Sequence, residues 1–242
     1  MGEGSYGRVY RGRLLHDKPD KSDRLCVVKL SKSLLHSKAI TIDPADGRLS
    51  SHLKNTQEER TQLQDLAAEI DYAVLLKLGP LMLKDHISND NVQIPQGLWV
   101  KAKEDMLRWK QHPGYENIHH IFEFDKEYIP CLISEFCDGD LVGLNAFLHK
   151  SGPEPGSNCF VSGNGPAGLW FEVVSQIWLG LQYMHSLDVA HNDTKPENVF
   201  FNWRDRGIQC FISDFGLCSQ AKTQTRTIAG TPSYFSPELQ TV

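Results

Sequence analysis

Hydrophobic and polar positions change their period several times along the chain, and each change predicts an element. "GSYGRVYRGRLL" (4–15) alternates after Gly7, which reads as a strand with a glycine-rich turn at its front. "DRLCVVKLS" (23–31) is short and rich in branched apolar residues, so it predicts a second strand ending near Lys29. Residues 32–55 are polar and lack a strong period, with a turn at "DPADG" (43–47). A capping box, Thr56 with Glu59 three residues on, then opens a helix in which Leu63, Leu66, Ile70 and Ala73 repeat at helical spacing. Gly79-Pro80 predicts its end. Residues 79–111 read as an insertion, with a short solvated helix over "KAKEDMLRWK" packed by Leu107 and Trp109.

"HHIFEF" and "YIPCLISEFC" predict two further strands, and "DGDLVGLNAFLHK" a short helix beginning near Asp140. Residues 151–168 are a Gly/Pro/Ser/Asn loop. The strongest helical pattern runs from Leu169 to about Ser186. Two short strands flank "WRDRG", and a Thr-rich segment leads to the C-terminus. No internal repeat is visible. Strands come first and helices later, so the order predicts an α+β protein with a β-rich lobe joined to a helical one.

Composition narrows the function classes. The 242 residues suffice for one large domain or two lobes around a cleft. Lys and Arg number 25 against 30 Asp and Glu, a net charge of -5, so no global positive field exists to hold nucleic acid or an anionic membrane. The six cysteines are scattered without a C-x-x-C pair, which argues for buried free thiols in a reducing cytosolic or nuclear setting. No charged n-region followed by an apolar run opens the chain, so no signal peptide is expected. The most apolar run, "LWFEVVSQIWLGLQYM", is broken by Glu172, Ser175 and Gln176, so it predicts a core helix and not a membrane span.

Candidate chemistry lies in a few short stretches. Gly2, Gly4 and Gly7 form G-x-G-x-x-G, a weak signal alone. A strand follows these glycines where a dinucleotide site would have a helix. That order favours a hairpin flap whose backbone N–H groups approach phosphates. Lys29 on the next strand is placed to reach such phosphates, although a strand lysine is usually a solvated charge. Glu69, one position before the apolar stripe residue Ile70, would by itself be expected to face solvent. In "HNDTKPEN", Asp193 can accept a hydroxyl proton and Asn198 offers an amide oxygen to a hard cation such as Mg²⁺. Lys195 between them can neutralise charge on a transferring phosphoryl group. "FISDFGLC" places Asp214 at a strand end as a second oxygen ligand, with Gly216 beside it.

Taken in order, the glycine loop, "VVK", the helical Glu69, "EFCDGDL", "HNDTKPEN", "DFG" and "GTPSYFSPE" resemble the catalytic domain of eukaryotic-type protein kinases over nearly the whole chain. The resemblance implies a protein-kinase-like two-lobe fold, with an N-lobe over 1–136 carrying inserts at 32–55 and 79–111, and part of a C-lobe over 137–242. It implies that Lys29 anchors the α- and β-phosphates of ATP in an ion pair with Glu69, beneath Gly2, Gly4 and Gly7, with Val9 and Val27 against the adenine. Glu135, Phe136 and Cys137 would form the hinge that recognises adenine, and Ser134 would guard an open back pocket. Asp193 would be the base, Asn198 and Asp214 the Mg²⁺ ligands, and Lys195 with Thr231 of "GTPSY" would mark the serine/threonine branch. The partners so implied are ATP and a protein bearing Ser or Thr.

Three departures stand out. Asn192 replaces an Arg that normally receives a phosphate of the activation segment, here at Thr227, and Asn cannot pair bidentately with phosphate. Val27 stands where the family often has Ala, tightening the adenine ceiling. The chain begins at the glycine loop and stops after "SPEL", so the family pattern predicts a longer parent and leaves Trp170, Ile177, Trp178 and Leu181 without cover. A non-catalytic nucleotide-binding or scaffolding protein of the same fold is the alternative, with the inserts serving partners. Small-molecule phosphotransfer is disfavoured by "GTPSYFSPE", which resembles a protein-substrate segment.

Overall fold

The structure, a computed structural model, describes residues 7–14, 24–38, 40–45, 49–52, 57–77, 111–125, 131–151, 165–205, 207–220 and 229–240. Gly2, Gly4, the cap at Thr56, the stop at Gly79-Pro80, the stretch 101–110, most of the loop 151–168 and Thr227 lie outside these residues.

Alternating residues in the first segment do form strand β1 (Gly7–Leu14), paired antiparallel with β2 (Arg24–Ser31) so that Val9 lies opposite Lys29 and Arg11 opposite Val27. Strand β2 therefore continues two residues past Lys29. The polar segment after it is more ordered than its lack of period predicts. Ser31 accepts a hydrogen bond from the Leu34 N–H at 3.3 Å and starts a one-turn helix, α1 (Lys32–His36). Two three-residue strands, β3 (Ile40–Ile42) and β4 (Leu49–Ser51), then pair around the predicted turn. Such short elements are too brief to show a period.

Helix α2 (Gln57–Lys77) buries Leu66, Ile70 and Ala73 completely, the face expected from their i, i+4, i+7 spacing. Strands β5 (Ile121–Asp125) and β6 (Cys131–Glu135) complete a four-stranded sheet ordered β1-β2-β6-β5. Burying a side chain such as Leu66 or Ile70 stabilises the fold by roughly 1.5–3 kcal/mol each.

After a short strand, β7 (Gly139–Asp140), the Asp140 Oδ1 accepts from the Gly143 N–H at 2.7 Å and starts helix α3 (Leu141–Ser151). The long helix, α4 (Gly165–Ser186), begins one turn before the predicted Leu169. Strand β8 (Val189–Ala190) leads into "HNDTKPEN", and the hairpin of β9 (Val199–Arg204) and β10 (Gly207–Ile212) follows as expected. Strand β11 (Ser219–Gln220) pairs back on β8, and α5 (Pro237–Gln240) is a single turn.

Two cores result. One joins α2 to the sheet and to Tyr183, Met184, Ile212 and Phe215, with the Tyr183 hydroxyl donating to the Leu76 carbonyl at 2.7 Å. The other packs α3 and α4 against β9 and β10 through Leu144, Val173, Phe201 and Cys210. Between α4 and β10, Gln176 acts as a surrogate strand residue: its Oε1 accepts from the Cys210 N–H and its Nε2 donates to the Ile208 carbonyl. The predicted bare face of α4 is corrected in part. Trp170, Ile177 and Leu181 are half-buried against these cores, while Trp178, with Phe171 and Val174, is exposed. Among the described residues no helix is long and apolar enough to cross a membrane, and all five described cysteines are free thiols.

Candidate active site

A cavity of about 750 Å³ opens between the sheet and the helical part, lined by Val9, Val27, Lys29, Glu69, Lys195, Asn198 and Asp214 together with Ser134 through Cys137. Most predicted site residues within the described segments thus meet around one space, although 185 positions separate Lys29 from Asp214. Gly7, Asp193 and Thr231 are not in its lining and adjoin it through Lys29, Lys195 and Asn198. Strand β1 supplies Val9 and β2 supplies Val27 and Lys29, both from the same face because side chains alternate along a strand. Gly7 has no side chain for a physical reason: a Cβ there would lie 2.6 Å from the Lys29 Cγ.

Lys29 Nζ lies 2.6 Å from Glu69 Oε2 and 3.0 Å from Asp214 Oδ1. Burial opposes the charge on Lys29, but the two carboxylates outweigh it and hold its pKa above the usual value. Burial pushes the Glu69 carboxyl up, and the adjacent Lys29 charge works against that push. At 2.6 Å the contact is an ion pair. Glu69 is 3% exposed, which corrects the expectation of a solvent-facing residue: the helix turns it toward the sheet beside Ile70.

Asp214 does not end a strand; it lies two residues beyond β10 with φ 63° and ψ 74°, a left-handed conformation that Asp tolerates better than most residues. It starts the one-turn helix Phe215–Leu217, whose Phe215 is buried in the first core.

The second group surrounds Asp193. Its Oδ2 accepts from Lys195 Nζ at 2.9 Å and from Asn198 Nδ2 at 3.0 Å, and its Oδ1 accepts from the Thr231 hydroxyl at 2.7 Å. Lys195 also donates to Thr231 Oγ1 at 2.7 Å, closing the network. Burial alone would raise the Asp193 pKa, but the hydrogen bonds from Lys195 and Thr231 and the Lys195 charge bring it below the usual carboxylate range. Asp193 is therefore held as an anion. Asn198 points its amide nitrogen at Asp193, which leaves its Oδ1 as the acceptor on the other side. Asn198 and Asp214 are thus a carboxylate and an amide oxygen on one cavity, a donor set that suits Mg²⁺, which keeps several waters and takes few protein ligands.

Asn192 has φ 64°, and its Nδ2 donates to the Leu217 carbonyl and to Ser219 Oγ, both at 2.8 Å. The residue that breaks the family pattern is thus tied to the segment after Asp214. Gly230 is pressed close, since a Cβ there would lie 2.5 Å from the Asn192 carbonyl oxygen.

Among the lining residues that sequence reasoning did not single out, two are polar and buried, His119 and Ser213. "HHIFEF" signals only a strand start, and a serine before "DFG" carries no pattern. No local signal could have found them.

The protein kinase domain family matches residues 103–241, more than half of the chain. Serine/threonine-protein kinase 36 of Mus musculus is 26% identical over 242 residues, covering 99% of this chain and 12% of the relative. Serine/threonine-protein kinase AGC1-7 of Arabidopsis thaliana is 30% identical over 80% of this chain and 31% of its own length. The catalytic subunit 3 of cAMP-dependent protein kinase of Drosophila melanogaster is 29% identical over 61% of this chain and 22% of its own. This chain thus spans between about an eighth and a third of each of these relatives. With the ordered motifs, the two-part α+β architecture and the matched residues in agreement, the chain belongs to the protein kinase domain family.

Proposed function

We propose that the chain transfers the γ-phosphate of Mg·ATP to a serine or threonine hydroxyl of a protein. The observation that carries this reading is the closed Asp193–Lys195–Thr231 network, which reaches through Lys195 the cavity lined by the Lys29–Glu69–Asp214 cluster. In this reading the adenine packs against Val9 and Val27, its edge on the backbone of Glu135 and Cys137, and Lys29 holds the α- and β-phosphates. Asn198 and Asp214 would hold Mg²⁺, which when bound neutralises charge on the phosphates. Asp193 orients the substrate hydroxyl and takes its proton as the oxygen bonds to phosphorus and ADP leaves. Lys195 offsets the charge that gathers on the transferring group. Thr231 holds both Asp193 and Lys195, so the "GTPSY" segment contributes a hydrogen bond to the site itself.

Asn192 supports a further element of this reading, namely activity independent of phosphate on Thr227. Its two neutral hydrogen bonds to Leu217 and Ser219 reach the segment that an Arg–phosphate pair would otherwise order.

Transfer of labelled γ-phosphate from Mg·ATP to a basic protein, with Asp193→Asn as control, tests the proposal. Signal from the native chain that vanishes in the variant is expected. Equal signal from both would defeat the catalytic assignment, and nucleotide binding without transfer would leave a nucleotide-dependent scaffold.

A further inference from the structure

His119 stands between the two halves of the cavity, and its hydrogen bonds define its tautomer. Nε2 lies 2.9 Å from the Glu135 carbonyl oxygen, which carries no proton, so Nε2 must donate. The ring is buried and its pKa is pushed down to about 4, chiefly by that burial, so it is neutral and Nδ1 carries only a lone pair. Nδ1 lies 3.1 Å from Ser213 Oγ and accepts a hydrogen bond from that hydroxyl. The Cys137 thiol, 3.5 Å from Nε2, stays protonated because burial raises its pKa to about 12. One rigid ring thus links the hinge carbonyl to the residue immediately before Asp214.

Ser213 is gripped from a second side. The neutral ring of His191 donates from Nε2 to the Ser213 carbonyl at 2.9 Å, and the Ser213 N–H donates to the Asn198 carbonyl at 2.9 Å. The main chain of His119 bonds Ile212, and Phe200 and Phe211 lie against its ring with centroids 5.3 and 6.3 Å away. A carbonyl oxygen has two lone pairs. With one taken by His119, the Glu135 oxygen keeps one acceptor direction for the cavity, and that direction is held by an imidazole with little freedom to turn.

We propose that His119 is a positioning and specificity residue: it aims the Glu135 carbonyl at an amino group on the bound base and couples that aim, through Ser213, to the placement of Asp214. This inference rests on the nucleotide reading above and adds to it that the preference of the hinge for a 6-amino over a 6-oxo purine depends on a residue outside the hinge. A base with an oxo group there would set oxygen against oxygen at a carbonyl that cannot rotate away.

The two ring nitrogens can be tested separately. Gln carries a donor near the position of Nε2, whereas Asn reaches only to that of Nδ1. His119→Gln therefore keeps the Glu135 bond and His119→Asn loses it. Binding of ADP and of inosine diphosphate, each with Mg²⁺, is measured by titration calorimetry on the full chain alongside thermal unfolding. The expected result is a fall of about five-fold in the ADP-to-IDP affinity ratio for His119→Asn, with His119→Gln within two-fold of native. Ser213→Ala leaves the ring in place; it should keep the base ratio and weaken the enhancement of ADP affinity by Mg²⁺ about three-fold. Should His119→Asn fail to fold, His119→Gln and Ser213→Ala must both weaken that Mg²⁺ enhancement. An unchanged ratio in His119→Asn with a lowered melting temperature would make His119 a core residue and overturn the proposal while leaving the kinase reading intact. Failure of the native chain to bind either nucleotide would defeat both.

Discussion

Lys29 and Lys195 line the same cavity and each holds a carboxylate, but they come to it by different routes. Lys195 grips Asp193 two residues away, within one loop, through a side chain 18% exposed. Lys29 grips Glu69 from another element, and reaches Asp214 across 185 positions, in a contact where the Glu69 side chain is 4% exposed. The local pair is cushioned by neutral partners, Thr231 and Asn198, that would still satisfy Asp193 if the lysine left. Among the described residues the distant pair has no such neutral partner, so its failure leaves a buried charge. Local motifs can therefore carry chemistry with little cost to the fold, whereas pairs that join distant elements carry fold and chemistry together.

The sharpest break in this comparison is Asp193→Asn. It should lower kcat by about 10²–10⁴-fold while nucleotide affinity and unfolding midpoint barely move, as steady-state kinetics and melts would show. Lys29→Met should do the reverse on stability, costing about 3–5 kcal/mol in denaturant unfolding because Glu69 is left buried and unpaired. Adding Glu69→Gln to that variant should recover part of the loss. No recovery would mean that Glu69 is not charged in the fold.

Acid titration probes the bridge between the two halves. The folded-state pKa of His119 is depressed from the usual 6.5 to about 4, so neutral His119 is favoured by the fold. Its contribution is complete above pH 6.5 and is lost as pH falls from there through about 4, amounting to up to about 3 kcal/mol. The charges of His120, Lys77 and Lys29 oppose its protonation and the Glu135 carbonyl favours it. His119→Gln should flatten the pH dependence of unfolding free energy in that window; an unchanged slope would assign it to other groups, His191 first among them.

Thr231→Ala should lower kcat about ten-fold, since it removes a hydrogen bond to a charged partner yet leaves Lys195 on Asp193. The smallest effect is expected from Thr227→Ala, less than two-fold in activity, because Asn192 offers no charge to a phosphate there. A large loss in that variant would show that the Asn192 tie to Leu217 and Ser219 does not replace phosphate.

Much of the site was legible because several of its groups are close in sequence. Asp193, Lys195 and Asn198 lie within six residues, and the loop that carries them presents Lys195 and Asn198 to the cavity with Asp193 hydrogen-bonded to both. Strand and helix periods likewise marked β1, β2, α2, α4 and the β9–β10 hairpin, where runs of five or more residues repeat a burial pattern. The short α1, β3 and β4 were not legible, since three to five residues complete hardly one period.

By itself the sequence determined the order of the motifs, the residue types able to bind phosphate and cation, and the apolar faces that must be buried. It also marked Asn192 as a departure. Tertiary structure decided what those residues mean to one another. Glu69 reads as a surface carboxylate on its helix until α2 packs on the sheet and delivers it to Lys29. Asn192 reads as a loss until the chain after Asp214 returns as β11 and meets its amide. His119 reads as nothing until the hinge and Ser213 close on its two nitrogens. The physical reason is common to all three: periodicity reports a residue's neighbours along its own element, while its chemistry is set by partners that other elements bring.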